Sequence, residues 1–300
     1  MTDCFASCTL CPRNCRVNRH ETTGYCGERD VMRICRAALH FWEEPCISGT
    51  RGSGTVFFCG CSLKCSYCQN YDISRSRGGG EISVGRLCEI FFELKEKGAH
   101  NINFVTPTHF TPLIVEAIKM AKAQGFDLPF VYNCGGYENV ETIKMLDGYI
   151  DVFLPDFKYF TPESGARYSN APDYAVHAKA ALDEMVSIAG SPKFDGDGMM
   201  TRGVIMRHLV LPAHVGESIE IFKYIYDTYG DDVLIGIMNQ YTPMASETHA
   251  ELRRRLTTYE YQKAIAAARK IGIVNGFVQD GETQKESFIP PFDMTGVYSP

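Results

Sequence analysis

The stretch VFFCGCSLKCSYC, residues 56–68, joins a short apolar run to a loop with three closely spaced cysteines. Cys61, Cys65 and Cys68 have the spacing C-x3-C-x2-C. Three thiolates on one loop can bind three irons of a [4Fe–4S] cluster and leave the fourth iron open to another ligand. A chance grouping of thiols, or a zinc site completed by Cys59, is the alternative, but a structural zinc ion usually takes four ligands from the protein.

Short apolar runs continue along the chain after this stretch. Segments with helical spacing separate them, so the runs indicate buried strands of a parallel sheet. The predicted strands are residues 56–59, 101–105, 128–132, 150–154, 203–211, 233–238 and 271–278.

The segments between these runs have the sequence features of helices. Ser83 is a predicted N-cap, and Thr111 is a second one, followed by a first-turn proline. Thr257 and Glu260 have the spacing of a capping box. Further helices are predicted over residues 138–147, 173–189, 216–229 and 257–270.

The alternation of strands and helices predicts an α/β fold with right-handed crossovers. Six strand–helix units are too few for a complete eight-stranded barrel, so a partial barrel and a doubly wound sheet both fit the pattern. In either fold the functional residues gather at the carboxyl ends of the strands. We divide the chain into a cysteine-rich extension (1–50), a β/α part (51–280) and a C-terminal tail (281–300).

The composition excludes several classes of protein. Hydrophobic residues make up 45% and charged residues 22%, which is typical of a globular protein and not of a disordered one. The net charge of −6 lacks the basic excess of a typical nucleic-acid-binding protein. No apolar run approaches the ~20 residues of a membrane span, and the N-terminus lacks a signal-peptide pattern. We therefore expect a cytoplasmic protein that contacts neither membrane nor DNA.

The cysteine triplet, the aromatic Tyr67 before its last member, and its position after the first strand of a β/α chain resemble the radical S-adenosylmethionine (radical SAM) superfamily. The run QNYD, residues 69–72, and the chain as a whole resemble its pyruvate formate-lyase activating enzyme-like branch. The resemblance to the superfamily covers residues 52–280.

This resemblance implies a partial (β/α)6 barrel of the TIM type and a [4Fe–4S] cluster on Cys61, Cys65 and Cys68. It implies that S-adenosylmethionine (SAM) chelates the fourth iron through its amino and carboxylate groups. It also implies reductive cleavage of SAM to methionine and a 5′-deoxyadenosyl radical, which abstracts hydrogen from a substrate. The electron would come from a one-electron donor such as flavodoxin or ferredoxin.

The Gly-Gly-Glu element that often contacts the SAM amino group in this family has no clear equivalent. The GGE sequence at 79–81 precedes both the first long helix and the second strand of the barrel, so we expect a flexible loop there. Thr106 and Thr108 occupy the expected place and can accept hydrogen bonds from an ammonium group. His109, next to them, either contacts the site or points to solvent.

Other polar residues stand near the carboxyl ends of later strands. Asp156 and Lys158 share one face of a strand and resemble the Asp-x-Lys element of activating enzymes, with a surface salt bridge as the alternative. Arg207 is either a partner of the SAM carboxylate or of an acidic side chain, and His208 is a satisfied structural histidine. The predicted cofactor-binding residues are Tyr67, Thr106, Thr108, Asn133, Asp156, Lys158 and Arg207.

Cys8, Cys11, Cys15 and Cys26 form a second group of thiols with the spacing C-x2-C-x3-C-x10-C. Four thiolates suit a tetrahedral zinc ion or a second iron–sulfur cluster. The alternatives are reduced unliganded thiols, or pairing that involves the nearby Cys4, Cys35, Cys46 and Cys59. In the cytoplasm, clustered cysteines are more often metal ligands than disulfide partners.

Three functional hypotheses follow. The first is an activating enzyme that makes a glycyl radical on a protein partner, and the second is a radical SAM enzyme that modifies a small molecule or RNA. The polar strand ends do not distinguish these two, because substrate contacts lie on variable loops. The third is a non-enzymatic iron–sulfur electron carrier, which leaves the large β/α part without a purpose.

Overall fold

The structure is a computed structural model that describes residues 3–244, 247–279 and 289–299. Within these residues the chain alternates strands and helices, as the sequence predicts. The strands are β1 (Met32–His40), β2 (Ser53–Phe58), β3 (Gly80–Ile82), β4 (Ile102–Val105), β5 (Phe130–Cys134), β6 (Val152–Pro155), β7 (Lys193–Phe194), β8 (Met200–Leu209), β9 (Val233–Met238) and β10 (Gly276–Val278).

The helices begin and end close to the predicted positions in most cases. They are α1 (Pro45–Ser48), α2 (Tyr71–Ser74), α3 (Val84–Glu96), α4 (Thr111–Ala123), α5 (Val140–Lys144), α6 (Pro162–Ser169), α7 (Tyr174–Ala189), α8 (Val215–Tyr229) and α9 (Thr258–Ile271). None of these helices is long and apolar enough to span a bilayer.

The helix caps test the predictions from sequence directly. Ser83 caps α3 by accepting a hydrogen bond from Arg86 N at 3.0 Å, and Thr257 with Glu260 forms a complete capping box. Thr111 is not a cap, because a 3-10 turn over Thr108–Phe110 runs directly into α4 and makes Thr111 its first residue. Two of the three predicted caps are therefore confirmed.

The sheet has the strand order β10-β9-β8-β6-β5-β4-β2-β1-β3, and β7 pairs with β8 alone. In the part of this row from β10 to β2, each strand runs parallel to the next one. Glu43 receives hydrogen bonds from Asn103 of β4, Asn133 of β5 and Arg207 of β8. A flat sheet would separate β4 from β8 by three strand spacings of ~4.8 Å each, so the sheet curls into a partial barrel.

Several elements differ from the predicted pattern; among them, the elements β1, β3, β7, α1 and α2 are not predicted from the sequence. The last predicted strand, 271–278, is only β10, because Ile271 still belongs to α9. The helix predicted over 138–147 shortens to α5, and α6 is a helix that the pattern does not predict. Helix ends depend on tertiary contacts as well as on local pattern, which explains such shifts.

The two chain ends pack against each other on one side of the barrel. Strand β1, within the predicted extension, pairs antiparallel with β2 and β3 and so joins the sheet. Residues 289–299 lie alongside β1. Met294 N–H donates to Cys35 O at 3.1 Å, and Ala37 N–H donates to Thr295 O at 2.8 Å. Residues 289–299 of the predicted C-terminal tail therefore pack on the sheet, and Val297 is fully buried. Residues 281–288 and 300 of the predicted tail lie outside the described residues.

Candidate active site

The three cysteines of the triplet lie on the loop after β2, residues 61–68, which we call the cluster loop. Leu63 N–H donates to Cys61 Sγ at 3.3 Å, and Ser169 Oγ donates to Cys65 Sγ at 3.0 Å. Burial raises the pKa of Cys61 and raises that of Cys68 to about 12, and Cys65 adds to both effects. The three thiols thus lie within electrostatic reach of one another, and a metal that binds them must displace their protons.

Two arginines hold the backbone of the cluster loop. Arg13 donates from Nε to Ser62 O at 2.8 Å, and Arg75 donates from Nη2 to Lys64 O at 2.7 Å. These carbonyls belong to no helix or strand and therefore lack the backbone hydrogen bonds of regular secondary structure. The arginines supply the missing donors. One arginine comes from before the loop in sequence and the other from after it, so the loop is clamped on both sides.

Tyr67 anchors the cluster loop from below. Its side chain is buried, and its ring contacts those of Tyr159, Tyr168 and Tyr241 edge-on at centroid distances of 6.4, 6.2 and 6.2 Å. Edge-to-face pairs of this kind add to the stability that burial alone gives. Packing is therefore the role that the structure displays for Tyr67, and its contact with a cofactor stays a prediction.

A pocket opens beside the cluster loop, at the carboxyl ends of the parallel strands. Phe57, Leu209 and Met238 give it an apolar wall, and Ile289 and Pro290 border it from the C-terminal segment. All the predicted cofactor-binding residues line it together with the three cysteines of the loop: Tyr67, Thr106, Thr108, Asn133, Asp156, Lys158 and Arg207. Sequence reasoning therefore placed these residues in one site, although the role of each in binding is a prediction.

Asp156 and Lys158 form an ion pair in the pocket and not on the surface. Lys158 Nζ lies 2.6 Å from Asp156 Oδ2, and Arg207 Nε lies 3.3 Å from Asp156 Oδ1. Burial acts to raise the pKa of Asp156, but the charges of Lys158 and Arg207 outweigh it and hold that pKa below its usual value. Burial likewise opposes the charge on Lys158, but Asp156 raises the pKa of Lys158 above its usual value. Both side chains are therefore charged at neutral pH.

Arg207 pairs with acidic side chains inside the barrel, which is the second of its two predicted roles. Its Nη1 lies 2.9 Å from Glu43 Oε2, and its Nη2 donates to Asn133 Oδ1. Asn133 in turn donates to Glu43 Oε1 at 3.2 Å. A contact of Arg207 with SAM thus has to share the guanidinium with Glu43 and Asp156.

Glu43 and Glu44 are site residues that sequence reasoning missed. They follow β1, and because β1 runs antiparallel to β2, the loop after it enters the barrel from the amino-terminal side of the strands. Burial raises the pKa of Glu44 to about 7, with Arg207 opposing the rise. Glu44 Oε2 is buried without a hydrogen-bond partner among the described residues. These carboxylates reach the pocket because β1 pairs antiparallel with β2. Local sequence patterns do not predict that pairing, so the two residues were missed.

Thr106 and Thr108, which were predicted to replace the Gly-Gly-Glu element, follow the carboxyl end of β4 and line the pocket. Thr106 has φ of 60°, a left-handed conformation that costs energy for a β-branched residue and is typical of functional sites. Thr108 Oγ1 donates to Glu138 Oε1 at 2.8 Å, and burial raises the pKa of Glu138 to about 8. The GGE sequence itself lies at β3 on the edge of the sheet, away from the pocket lining, and is a short strand and not the expected flexible loop.

The two histidines near the strand ends are both structural. His109 is buried, and its Nε2 bonds to Cys59 O at 2.7 Å, so it does not point to solvent. His208 is buried as well; its Nδ1 bonds to Phe157 O at 2.6 Å and its Nε2 to Ser218 Oγ at 2.9 Å. The prediction that His208 is a satisfied structural histidine agrees with these contacts.

The four N-terminal thiols lie in residues 8–26, which we call the thiol knuckles. Cys8, Cys11 and Cys26 are buried and Cys15 is half-buried. Burial raises the pKa of Cys11, and it raises that of Cys26 to about 11; Cys8 adds to both increases. No three His, Cys, Asp or Glu side chains among the described residues converge closely enough to hold a single metal ion, and this includes the cluster loop.

One pair of cysteines departs from the expectation of reduced thiols. Cys35 of β1 and Cys59, directly after β2, form a disulfide with a Cα–Cα distance of 6.3 Å. The antiparallel pairing of β1 with β2 brings the two residues together, since Cys59 N–H donates to Arg33 O at 2.9 Å. Cys59 is therefore not the fourth ligand of a zinc site on the cluster loop. The other eleven cysteines are free.

Comparison with known proteins gives the family. A model of the radical SAM superfamily matches residues 55–187. An uncharacterized protein of Methanocaldococcus jannaschii, MJ0674, is 30% identical over 278 residues, which cover 90% of this chain and 76% of that protein. This chain belongs to the radical SAM superfamily.

Two further relatives of this radical SAM protein match over shorter parts of their length. The pyruvate formate-lyase-activating enzyme of Clostridium pasteurianum is 30% identical over 109 residues, 35% of this chain and 44% of the enzyme. The FeFe-hydrogenase maturase HydG from Carboxydothermus hydrogenoformans matches 76% of this chain and 54% of its own, with a TM-score of 0.53 and 11% identity. That likeness shows the fold alone. A second structure, SuiB from Streptococcus suis, matches 76% of this chain and 48% of its own, with a TM-score of 0.48 and 10% identity.

Membership in the radical SAM superfamily implies a [4Fe–4S] cluster and SAM, and the pocket residues fit both. Cys61, Cys65 and Cys68 offer the three thiolates at one side of the pocket. Asp156 Oδ1 and Arg207 Nε lie buried 3.3 Å apart as an ion pair, and neither atom makes a well-oriented hydrogen bond among the described residues. A ligand that carries both an ammonium and a carboxylate group, as SAM does, can satisfy an acceptor and a donor of this kind.

Proposed function

We propose that this chain is a radical SAM oxidoreductase of the activating-enzyme kind, which removes a hydrogen atom from a glycine residue of a protein partner. The observation that carries the proposal is the three-thiol cluster loop beside a pocket in which charged side chains of several strands meet. The similarity to an activating enzyme over 109 residues supports a protein as the class of substrate.

A [4Fe–4S] cluster held by Cys61, Cys65 and Cys68 would supply one electron for the reductive cleavage of SAM, and the hydrogen atom taken from the substrate would leave with 5′-deoxyadenosine. The residues of the chain bind and orient the reactants. Cys61, Cys65 and Cys68 hold three irons by their thiolates. Asp156 accepts from the ammonium of SAM and Lys158 donates to its carboxylate, since both are ionised in the pocket.

The remaining wall of the pocket protects the reaction. Phe57, Leu209 and Met238 present apolar surface toward the cluster loop. Excluding water from a site where a reactive radical forms prevents side reactions. Thr106, held in its left-handed conformation, directs its backbone and hydroxyl group toward the SAM amino group as part of this proposal.

The electron comes, in this proposal, from a one-electron donor such as flavodoxin or ferredoxin in the cytoplasm. Lys64 and Arg75 lie on and beside the cluster loop, and Arg77 is exposed nearby. This positive charge, on a chain whose net charge is −6, favours the approach of an acidic donor to the side of the molecule that carries the cluster. The eleven free cysteines support a reducing compartment.

The proposed cleavage is tested with protein reconstituted anaerobically with iron and sulfide, reduced, and mixed with SAM. We expect release of 5′-deoxyadenosine, and we expect Cys65→Ala to abolish it. Cys88→Ser is the matched control, because Cys88 is a buried cysteine on α3 outside the pocket. A folded wild-type protein that takes up no iron–sulfur cluster would refute the proposal.

The protein substrate needs a separate measurement. Candidate partner proteins labelled with deuterated glycine should transfer deuterium into 5′-deoxyadenosine and acquire a glycyl radical signal in electron paramagnetic resonance. Release of 5′-deoxyadenosine without deuterium transfer from any glycine-labelled protein of the source cell would reject the activase role and leave the cleavage chemistry standing.

A further inference from the structure

Residues 3–31 fold without a helix or a strand, and they contain the four thiols of the knuckles. Turns alone bury little surface, so segments of this size usually need a metal or a disulfide to hold one conformation. None of Cys8, Cys11, Cys15 and Cys26 takes part in a disulfide. The segment therefore lacks the cross-link that its architecture requires.

Three of the four knuckle sulfurs, those of Cys8, Cys15 and Cys26, lie near the side chain of Arg19. A Cβ atom placed on Gly24 would lie 3.3 Å from Cys26 Sγ, 3.6 Å from Cys15 Sγ and 3.8 Å from Arg19 Cδ. On the guanidinium side, Arg19 Nη1 lies 3.9 Å from Cys8 Sγ. Thiols that are far apart in sequence thus surround the Arg19 side chain.

Arg19 is a buried cation that forms no direct ion pair among the described residues, although its charge also acts on the buried carboxylate of Glu28. Its side chain is fully buried, and it donates to Glu28 O at 3.2 Å, to His109 O at 2.6 Å and to Arg29 O. These are neutral carbonyls, and no carboxylate of a described residue forms an ion pair with it. The buried carboxylate of the segment, on Glu28, pairs with Arg33 at 3.2 Å. A buried charge is costly unless a charge of opposite sign compensates it.

We propose that Cys8, Cys11, Cys15 and Cys26 bind a metal centre, a zinc ion or an iron–sulfur cluster, as a tetrathiolate whose counter-charge is Arg19. Four thiolates around either centre leave a net negative charge, which the buried guanidinium compensates. Binding releases the four thiol protons. Since the four sulfurs do not yet converge on one point, the metal draws the knuckles together.

This site is attached to the cluster loop through the backbone. Cys61 N–H donates to Cys26 O at 3.3 Å, and the same carbonyl accepts from Ser76 Oγ at 3.3 Å. His109, whose carbonyl accepts from Arg19, bonds through its ring to Cys59 O at 2.7 Å. The metal in the knuckles therefore braces the loop that holds the catalytic cluster, without touching the reactants.

The test uses the full chain with the cluster loop disabled. In Cys61→Ala/Cys65→Ala/Cys68→Ala we expect one zinc ion, or one cluster counted by iron and acid-labile sulfide, to stay bound per chain. Adding Cys11→Ser and Cys15→Ser should remove it, whereas adding Cys46→Ser, a buried cysteine outside both groups, should not. The metal found by elemental analysis, zinc or iron, identifies the kind of centre, and either result supports the proposal. A folded triple variant that holds neither metal overturns it.

A second measurement covers variants that do not fold. In metal-loaded wild-type protein, alkylation mapped by mass spectrometry should spare Cys8, Cys11, Cys15 and Cys26 until a chelator is added. Cys4, in the same segment, is the internal reference. Equal alkylation rates of Cys4 and of half-buried Cys15 in the loaded protein would contradict a tetrathiolate site.

The role of Arg19 has its own test. Arg19→Met should raise the rate at which a chelator strips the metal from the knuckles by about 10- to 100-fold, the usual effect of losing a group that supports metal ligands. Arg19→Lys keeps the charge and should recover most of the retention. Equal stripping rates for wild type and Arg19→Met would show that Arg19 does not compensate the site. A negative result for the knuckle site would not contradict the proposal that SAM is cleaved at the cluster loop.

Discussion

The cluster loop and the thiol knuckles both gather cysteines at short spacing, but their surroundings differ. The cluster loop has three thiols beside a pocket that contains the ion pair of Asp156 and Lys158. In the thiol knuckles Cys8, Cys11 and Cys26 are buried, and the buried guanidinium of Arg19 lies 3.9 Å from Cys8 Sγ. One site thus offers an open position with fixed charges beside it, and the other is closed.

The difference shows that the number of thiols is less decisive than what stands next to them. A metal with a missing protein ligand can bind a reactant, whereas a metal with four protein ligands is a structural link. In the open site the cations Lys158 and Arg207 already pair with carboxylates. A zwitterionic ligand can replace these contacts, because its carboxylate can bind a cation and its ammonium can bind a carboxylate. In the closed site the cation Arg19 forms no direct ion pair among the described residues, so the metal-bound thiolates themselves must supply the negative charge.

Single cysteine substitutions give the largest expected contrast between the two sites. Cys68→Ala should reduce 5′-deoxyadenosine release to the background of the assay, because it removes a ligand of the reacting centre. Cys15→Ala should leave measurable release, reduced by about tenfold or less, because it weakens only the brace. Turnover in excess SAM at equal cluster content is the measurement. Equal and complete losses in both variants would abolish the distinction between a reacting and a structural site.

Removal of Asp156 tests the charges of the open site. Asp156→Asn leaves Lys158 without its partner and Arg207 with one carboxylate fewer, both in a buried setting. We expect the free energy of unfolding to fall by about 3 kcal/mol, as when one member of a buried ion pair is lost, and SAM to bind more weakly.

The control for this prediction is the exposed pair of Lys144 and Glu141. Lys144→Met should change the midpoint of urea unfolding very little, since exposed pairs add little to stability. An Asp156→Asn protein as stable as Lys144→Met would show that the pocket charges are screened by water.

Glu44 makes the open site sensitive to pH. Its pKa in the folded chain, about 7, lies above its usual value because burial disfavours the charge. The folded state therefore holds this proton more tightly, and the resulting stabilisation is complete at acidic pH and is lost as the pH rises through 7. Between pH 5 and pH 8 the free energy of unfolding of the wild type should fall by about 2 kcal/mol relative to Glu44→Gln. Parallel pH curves for the two proteins would contradict the assignment.

The comparison of wild type with Glu44→Gln also isolates this group from its neighbours. Burial raises the pKa of Glu138 to about 8, so Glu138 adds a trend of the same sign. That trend is present in both proteins and cancels in the difference. Arg207, Glu43 and Asp156 are the charged groups that face Glu44, and the substitution leaves all three in place.

These contrasts also show what the sequence could reveal. The spacing of Cys61, Cys65 and Cys68 identified the cluster loop, because ligands on one loop are close in sequence as well as in space. Asp156 and Lys158 were predicted together as residues two apart on a strand. The structure places them directly after β6, which ends at Pro155, and still brings their side chains together as an ion pair. The parallel β/α order followed from the alternation of apolar runs and helical segments.

Glu43, Glu44 and Arg19 were not predicted as site residues for a common physical reason. Their positions depend on contacts between parts of the chain that are distant in sequence. Glu43 meets Arg207 only because β1 returns along β2 and the sheet curls. Arg19 meets Cys8 and His109 only because the knuckles fold against the turn before α4. The spacing of residues along the chain does not predict such long-range contacts.

The smallest expected effect concerns Arg13, which joins the two regions. Arg13 lies within the thiol knuckles and donates to Ser62 O of the cluster loop at 2.8 Å and to Ser169 O at 2.7 Å. Arg13→Ala should lower the free energy of unfolding by about 1 kcal/mol, since it leaves carbonyls without a charged donor, and should speed the loss of the catalytic cluster to a chelator. Arg16→Gln, at an exposed arginine of the same knuckle, should do neither. Identical rates of cluster loss in the two variants would mean that the Arg13 bonds do not couple the knuckles to the cluster loop, and that the remaining contacts, such as Cys61 N–H to Cys26 O, suffice to hold the loop.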